Sequence, residues 1–153
     1  MPRNVTVKSG PVKYAQNISV GPHVFRSDEP TDTGGNDAGP EAHELLMAAL
    51  GACANVTVQM YAERKQWPLP GIQVAVSYAR VPAENPADSD AKGEMVDRID
   101  MEISFAGDLS EEQQHRLLDI ATRCPVHRML VSHVQIDMRL LVPTSRPQKV
   151  VPL

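Results

Sequence analysis

The stretch GPEAHELLMAALGACANVTVQMYAERKQW, residues 39–67, decides the fold and carries the first of only two cysteines in the chain. From Glu41 the apolar residues fall at helical spacing, with Leu46, Ala49/Leu50, Cys53, Val56/Thr57 and Met60 on one stripe, and the pattern runs to about Lys65. The Trp67-Pro68 step ends it, because proline disfavours helix in the residue before it and lacks an N–H donor. A helix of about 25 residues spans roughly 37 Å at 1.5 Å per residue, longer than usual. Ala48, Ala49, Gly51, Ala52 and Ala54 leave room for another helix or a sheet to approach closely. The helix should therefore be central. A reduced cysteine in such a setting is ordinarily a small hydrophobe, so the meaning of Cys53 turns on the second thiol.

Upstream, NVTVKS, VKYAQNISV and HVFRS are short, rich in β-branched or aromatic residues, and separated by Gly10-Pro11 and Gly21-Pro22. They predict three strands joined by tight turns. DEPTDTGGNDAGP has no hydrophobic period and reads as a loop. Downstream, IQVAVSYARV and RIDMEISFAG predict two more strands, and the polar PAENPADSDAKGEMVD between them predicts a mobile hairpin loop. SEEQQHRLLDIATRC predicts a helix opened by a capping box between Ser110 and Gln113, with Leu117, Leu118, Ile120 and Ala121 toward a core. CPVHRML starts a short helix with Pro125 at its first position, HVQIDMRLLV predicts a closing strand, and PTSRPQKVVPL has no clear period. The order makes an α+β arrangement, and residues 1–153 fit a single domain.

The net charge of −4 and a pI near 5.7 leave no basic footprint for neutralising phosphates, so no nucleic acid partner is expected. The longest apolar runs break before the roughly 18 residues of a spanning helix, and MPRNVTVKSG lacks the apolar core of a signal peptide. No membrane partner and a cytoplasmic location are therefore expected. In a reducing cytosol two cysteines are not a structural framework, so any pairing should be transient and chemical.

Cys124 precedes Pro125 and so falls at the N-cap of the last helix, an environment that favours the thiolate. Arg123 and Arg128 flank it, and His127 lies on the first turn. A buried cap residue without chemical consequence fits the Cys-Pro step equally well. Cys124 and His127 have the separation of a metal-binding turn, but His43 lies too far along the helix from Cys53 to complete a site, and no metal is expected. His23, His115 and His133 read as surface residues.

GPEAHELLMAALGAC followed by CPVHRML resembles the osmotically inducible protein C and organic hydroperoxide resistance superfamily (OsmC/Ohr), and DEPTDTGGNDAGPEAHELL resembles its OsmC-like branch. The resemblance spans nearly the whole chain in element order. It implies an intertwined homodimer in which two six-stranded antiparallel sheets wrap around paired central helices, with the thiols at the subunit interface. It also implies a cysteine-based peroxidase that reduces a small organic hydroperoxide. Carried over by position, Cys53 is the peroxidatic thiolate and Cys124 the resolving thiol. The resulting disulfide is returned to thiols by an external dithiol of the lipoyl or thioredoxin type, and no cofactor is needed. Leu45, Leu46 and Met47 would form part of an apolar wall.

In peroxidase members of the superfamily a glutamate ten residues before the helical cysteine pairs with an N-terminal arginine that supports the thiolate. Here that position is His43, with Glu44 one residue later and turned by about 100°. Either would reach a thiol only across a dimer, since ten helical residues span about 15 Å. Arg26 is the candidate arginine, and it fits equally well as a strand-edge charge paired with Asp28 or Glu29. Sensing of another electrophile and simple binding of an apolar ligand are the other functions compatible with this substitution.

Overall fold

The structure, a computed structural model, describes residues 3–83 and 95–141. Three strands open the chain, β1 (Val5–Ser9), β2 (Gln16–Val20) and β3 (His23–Ser27), paired antiparallel in that order. Val7 stands opposite Ile18 and Ile18 opposite Phe25, while Lys8 stands opposite Asn17 and Asn17 opposite Arg26. The pleat therefore gives one face of Val5, Val7, Ile18, Val20 and Phe25, and a polar face that carries Lys8, Asn17 and Arg26. β2 begins only at Gln16, because Val12 to Tyr14 belong to the turn. There Gly10 N–H donates to the Ala15 carbonyl at 2.7 Å, and Tyr14 takes a left-handed φ of 67°.

The loop after β3 is organised by Asp28, whose buried carboxylate accepts the N–H groups of Glu29 (2.9 Å), Asn36 (3.1 Å) and Ala38 (3.3 Å). Burial pushes the Asp28 pKa up, but the three hydrogen bonds to the charged form together outweigh it and leave the group low. A single 3₁₀ turn at Thr31–Thr33 lies within the loop.

Helix α1 (Ala42–Lys65) has the expected extent. At its start the Glu44 carboxylate accepts the Glu41 N–H at 3.0 Å, half of a capping box. At its end Gln66 turns left-handed at a φ of 56°, and Trp67 N–H reaches back to the Ala62 carbonyl at 3.0 Å. The side facing the chain's own core is Met47, Leu50, Gly51, Ala54, Val58 and Ala62. The stripe expected from the sequence lies mostly outside: Leu46 is 38%, Val56 54% and Met60 59% exposed. A helix that is apolar round most of its circumference offers periodicity no single face to select.

β4 (Gly71–Pro82) and β5 (Met95–Ala106) form a second antiparallel sheet, with Gly71 opposite Ala106 and Pro82 opposite Met95. The pairing extends into the expected hairpin loop at Met95 to Asp97. The rest of that loop, residues 84–94, lies outside the described residues. α1 packs closely on β4, where a Cβ added at Gly51 would stand 3.3 Å from Val76 Cγ2. Asn55 Nδ2 donates to the Ile72 carbonyl across the same contact at 3.2 Å.

α2 (Glu111–Ala121) opens as expected: Gln113 N–H donates to Ser110 Oγ at 3.2 Å, and Ser110 N–H donates to Gln113 Oε1 at 2.8 Å. α2 and the short α3 (Pro125–Leu130) both pack on α1. Leu50, Ala54, Val58, Ala62, Leu117, Ile120, Ala121 and Cys124 form the core cluster. Leu118 is the exception to the expected set, turned outward on the neighbouring face of α2.

Two further expectations are corrected. Residues 133–141 are described without a strand, although Val134, Ile136, Met138 and Leu140 alternate with Gln135, Asp137 and Arg139 and are exposed. A strand needs a neighbour for its N–H and C=O groups, and this segment finds none within the described chain. α1 is also long and apolar enough to cross a membrane by length and composition, with a mean hydropathy of 1.4 over eighteen residues. Asn55, Thr57 and Gln59 interrupt the apolar run without adding charge. The helix nonetheless packs against β4, α2 and α3, as the core helix of an α+β fold does.

Candidate functional site

The end of α2 sets up the site. Arg123 N–H donates to the Ile120 carbonyl (3.0 Å) and Cys124 N–H to the Ala121 carbonyl (3.3 Å), which closes the helix and leaves Cys124 extended at φ −63°, ψ 145°. Cys124 is thereby the N-cap of α3, with Pro125 at the first helical position. Its Sγ accepts the His127 N–H at 3.2 Å. The side chain has no solvent exposure and packs into the core beside Cys53 of α1. Cys53 packs against the buried cluster that contains Cys124, near enough to influence the Cys124 thiol. Both cysteines are free, Cys53 being half-buried, and the Cys53 carbonyl accepts the Thr57 hydroxyl at 2.7 Å.

Position and electrostatics diverge at Cys124. Burial, the largest influence, pushes its pKa up, and the neighbouring Cys53 pushes in the same direction. The N–H groups of His127 and Val126 pull it down without reversing the sign. The expectation that the helix start favours the thiolate is thus overturned, because complete desolvation of the sulfur outweighs two backbone dipoles. Arg123 gives no help, since its guanidinium bonds the Asp119 carboxylate at 2.7 Å and shares it with Arg116.

The other candidates are dispersed. Arg26 lies on the polar face of the first sheet, where it lines a cavity of about 220 Å³ with Asn17, Asp28 and Asn36. Its side chain makes no hydrogen bond or ion pair among the described residues, and so pairs with neither Asp28 nor Glu29. His43 stacks on Tyr78 of β4, ring centroids 4.8 Å apart at 14°, and lies 4.0 Å from the Glu41 carboxylate. Glu44 is occupied in the α1 cap. Met47 is buried toward the core, whereas Leu46 faces outward.

His43, Glu44, Met47, Gly51, Asn55 and Tyr78 border an open groove of about 580 Å³ between α1 and β4. The thiols are not among its lining residues. Tyr78 escaped the sequence reading. The available signal was its place on the same strand face as Ile72, Val74 and Val76, a polar-tipped aromatic continuing an inward row. Its hydroxyl donates to Asp97 at 2.8 Å, which, as the largest influence, raises its pKa. No cluster of three or more His, Cys, Asp or Glu suited to a metal occurs among the described residues.

The sequence profile of the OsmC-like protein family matches residues 34–139, which include both cysteines. No curated protein matches the chain by sequence. Among solved structures, the OsmC like protein of Mycoplasma pneumoniae is similar at a TM-score of 0.67 and 21% identity, over 85% of this chain and 87% of that one. The organic hydroperoxide resistance protein OhrB of Bacillus subtilis aligns at a TM-score of 0.60 and 16% identity, over 86% of this chain and 91% of its own. An organic hydroperoxide resistance protein OsmC of Legionella pneumophila gives 0.63 and 13%, over 86% and 90%. Identities this low establish a shared fold, while the profile, spanning most of the chain, establishes the family. The chain belongs to the OsmC-like protein family.

Proposed function

We propose that the protein is a thiol-dependent peroxidase that reduces small organic hydroperoxides. The Cys53 thiolate attacks the terminal oxygen of the hydroperoxide, the O–O bond breaks, and an alcohol leaves with Cys53 as a sulfenic acid. Cys124 then attacks that sulfur, releasing water and closing a disulfide that an external dithiol, lipoyl or thioredoxin in type, returns to two thiols. The observation that supports this reading is the packing of half-buried Cys53 of α1 against the buried cluster that holds Cys124 at the α2–α3 corner, both cysteines being free. Titration of free thiols before and after cumene hydroperoxide tests it. A peroxidase loses two thiols per chain as an internal disulfide; loss of none, in folded protein, removes the reading.

The same proposal includes a homodimer. Supporting it are the outward stripe of Leu46, Val56 and Met60, the uncovered apolar face of the first sheet, and the alternating segment from Val134 to Leu140 without a pairing partner. In such an assembly Arg26 of one copy would support the thiolate of the other. A second reading, a binding or electrophile-sensing protein without turnover, draws on one observation: His43 is committed to the Tyr78 stack at the mouth of a groove that the thiols do not line. The same titration separates the peroxidase from a binding module, and sustained turnover with an external dithiol separates it from a sensor.

A further inference from the structure

His127 presents an arrangement that the proposed reaction has not used. Its Nδ1 is the one buried side-chain nitrogen or oxygen without a hydrogen-bond partner among the described residues. Nε2 makes no hydrogen bond either, yet is not sealed, so the half-buried ring has one nitrogen inside the protein and one reaching solvent. Nδ1 is the ring nitrogen nearer the backbone; the His127 N–H contacts Cys124 Sγ at 3.2 Å, while Nδ1 itself makes no hydrogen bond to that sulfur. The buried thiol that must be deprotonated before it can attack Cys53 is therefore in contact with the backbone of a residue whose imidazole has a wet outer edge. Imidazole is the side chain best suited to accepting and releasing protons near neutrality.

We propose that His127 is the proton shuttle of the thiol pair. Its Nδ1 takes the proton from Cys124 as the sulfur attacks Cys53, and Nε2 returns a proton to solvent. In the peroxide cycle the Cys124 sulfur forms the S–S bond while the S–O bond of the Cys53 sulfenic acid breaks, and the departing hydroxide collects a proton to leave as water. The two thiols supply the electrons and the hydroperoxide is the oxidant. The proposal rests on the thiol-pair reading, but it concerns the step made by Cys124 and not the identity of the oxidant.

The surroundings leave few competitors for this proton. α1 carries no charged residue between Glu44 and Glu63. The titratable groups of the site are Cys53 from α1 and Cys124 at the corner. Arg123 is held by Asp119 of α2, and Arg128 on α3, with His133, Asp137 and Arg139 beyond it, is exposed.

The test uses an aromatic disulfide, 5,5′-dithiobis(2-nitrobenzoate), so that it does not depend on peroxide turnover. Attack by Cys53 releases one thionitrobenzoate and leaves a mixed disulfide; attack by Cys124 on the Cys53 sulfur then releases the second. The ratio of the second rate to the first reads Cys124 alone. His127→Asn, which keeps a polar group near the Nδ1 position but has no basic nitrogen, should lower that ratio ten- to a hundredfold and flatten its pH profile. His127→Ala should do the same, with imidazole in the buffer restoring part of the rate. An unchanged ratio and pH profile in folded His127→Asn overturns the proposal. Wild-type protein that is inert to cumene hydroperoxide while showing the His127-dependent second release removes the peroxidase and leaves the shuttle.

Discussion

At Cys124 a helix start and a buried position act in opposite directions on one sulfur, and burial decides the sign. The consequence for stability follows from linkage. With the folded pKa above the ordinary thiol value of 9.0, the folded chain retains the proton that the unfolded chain gives up. The contribution is complete below pH 9.0 and is lost as pH rises through the higher folded value. Urea midpoints under reducing conditions should therefore fall more between pH 8 and pH 10.5 in wild type than in Cys124→Ala, and equal slopes would contradict the assignment. Arg26 is tested at the same scale by alkylation of Cys53 in a Cys124→Ser background. Its guanidinium is uncommitted among the described residues. If it supports the Cys53 thiolate across a dimer, Arg26→Ala should slow alkylation at neutral pH by about tenfold, the size of effect a nearby opposite charge confers. An unchanged rate in a dimeric variant would reassign Arg26 to the surface of its own sheet.

Helices α1 and α2 show where one chain's sequence informs on structure and where it does not. Leu117 and Leu118 are chemically identical neighbours, yet Leu117 is wholly buried and Leu118 is 46% exposed. Leu117→Ala should cost about 2–5 kcal/mol in denaturant unfolding, and Leu118→Ala less than about 1 kcal/mol within the chain's own fold. Similar losses at the two positions would mean that Leu118 is covered in solution. The extent of α1 was legible because Trp67-Pro68 closes it, and the capping box of α2 was legible because its two residues, Ser110 and Gln113, are only three positions apart. The inward face of α1 was not, since Leu46 and Met47 are equally apolar and the choice between them is made by β4, α2 and α3. The same limit applies to the site. CPVH gives the N-cap geometry of Cys124, but not its contact with Cys53 or the net direction of its pKa, both of which depend on tertiary packing.

On the scale of the molecule, the described chain leaves three apolar features uncovered: the face of β1–β3 bearing Val5, Val7 and Phe25, the outer stripe of α1, and the segment from Val134 to Leu140. The last is the most telling. Its alternation of Val134, Ile136, Met138 and Leu140 with polar residues is that of a half-buried strand, while its backbone is unpaired in the described chain. A second copy with a free sheet edge could satisfy backbone and side chains together, as an added strand does in β-augmentation. Among the described residues the first sheet and the β4–β5 pair each end in free edges, so a copy can both offer and receive a strand, which is the reciprocity that two-fold symmetry requires. Sedimentation at micromolar concentration should therefore give about twice the 16.8 kDa chain mass. Ile136→Asp, at a position 75% exposed in the single chain, should leave the chain's own core intact but place an unpaired charge in the joined sheet. The expected result is a shift toward monomer, with exposed apolar surface registered by increased dye binding. A wild-type protein that sediments as a well-folded monomer, or an Ile136→Asp dimer as tight as wild type, would show that this segment is not what joins two copies.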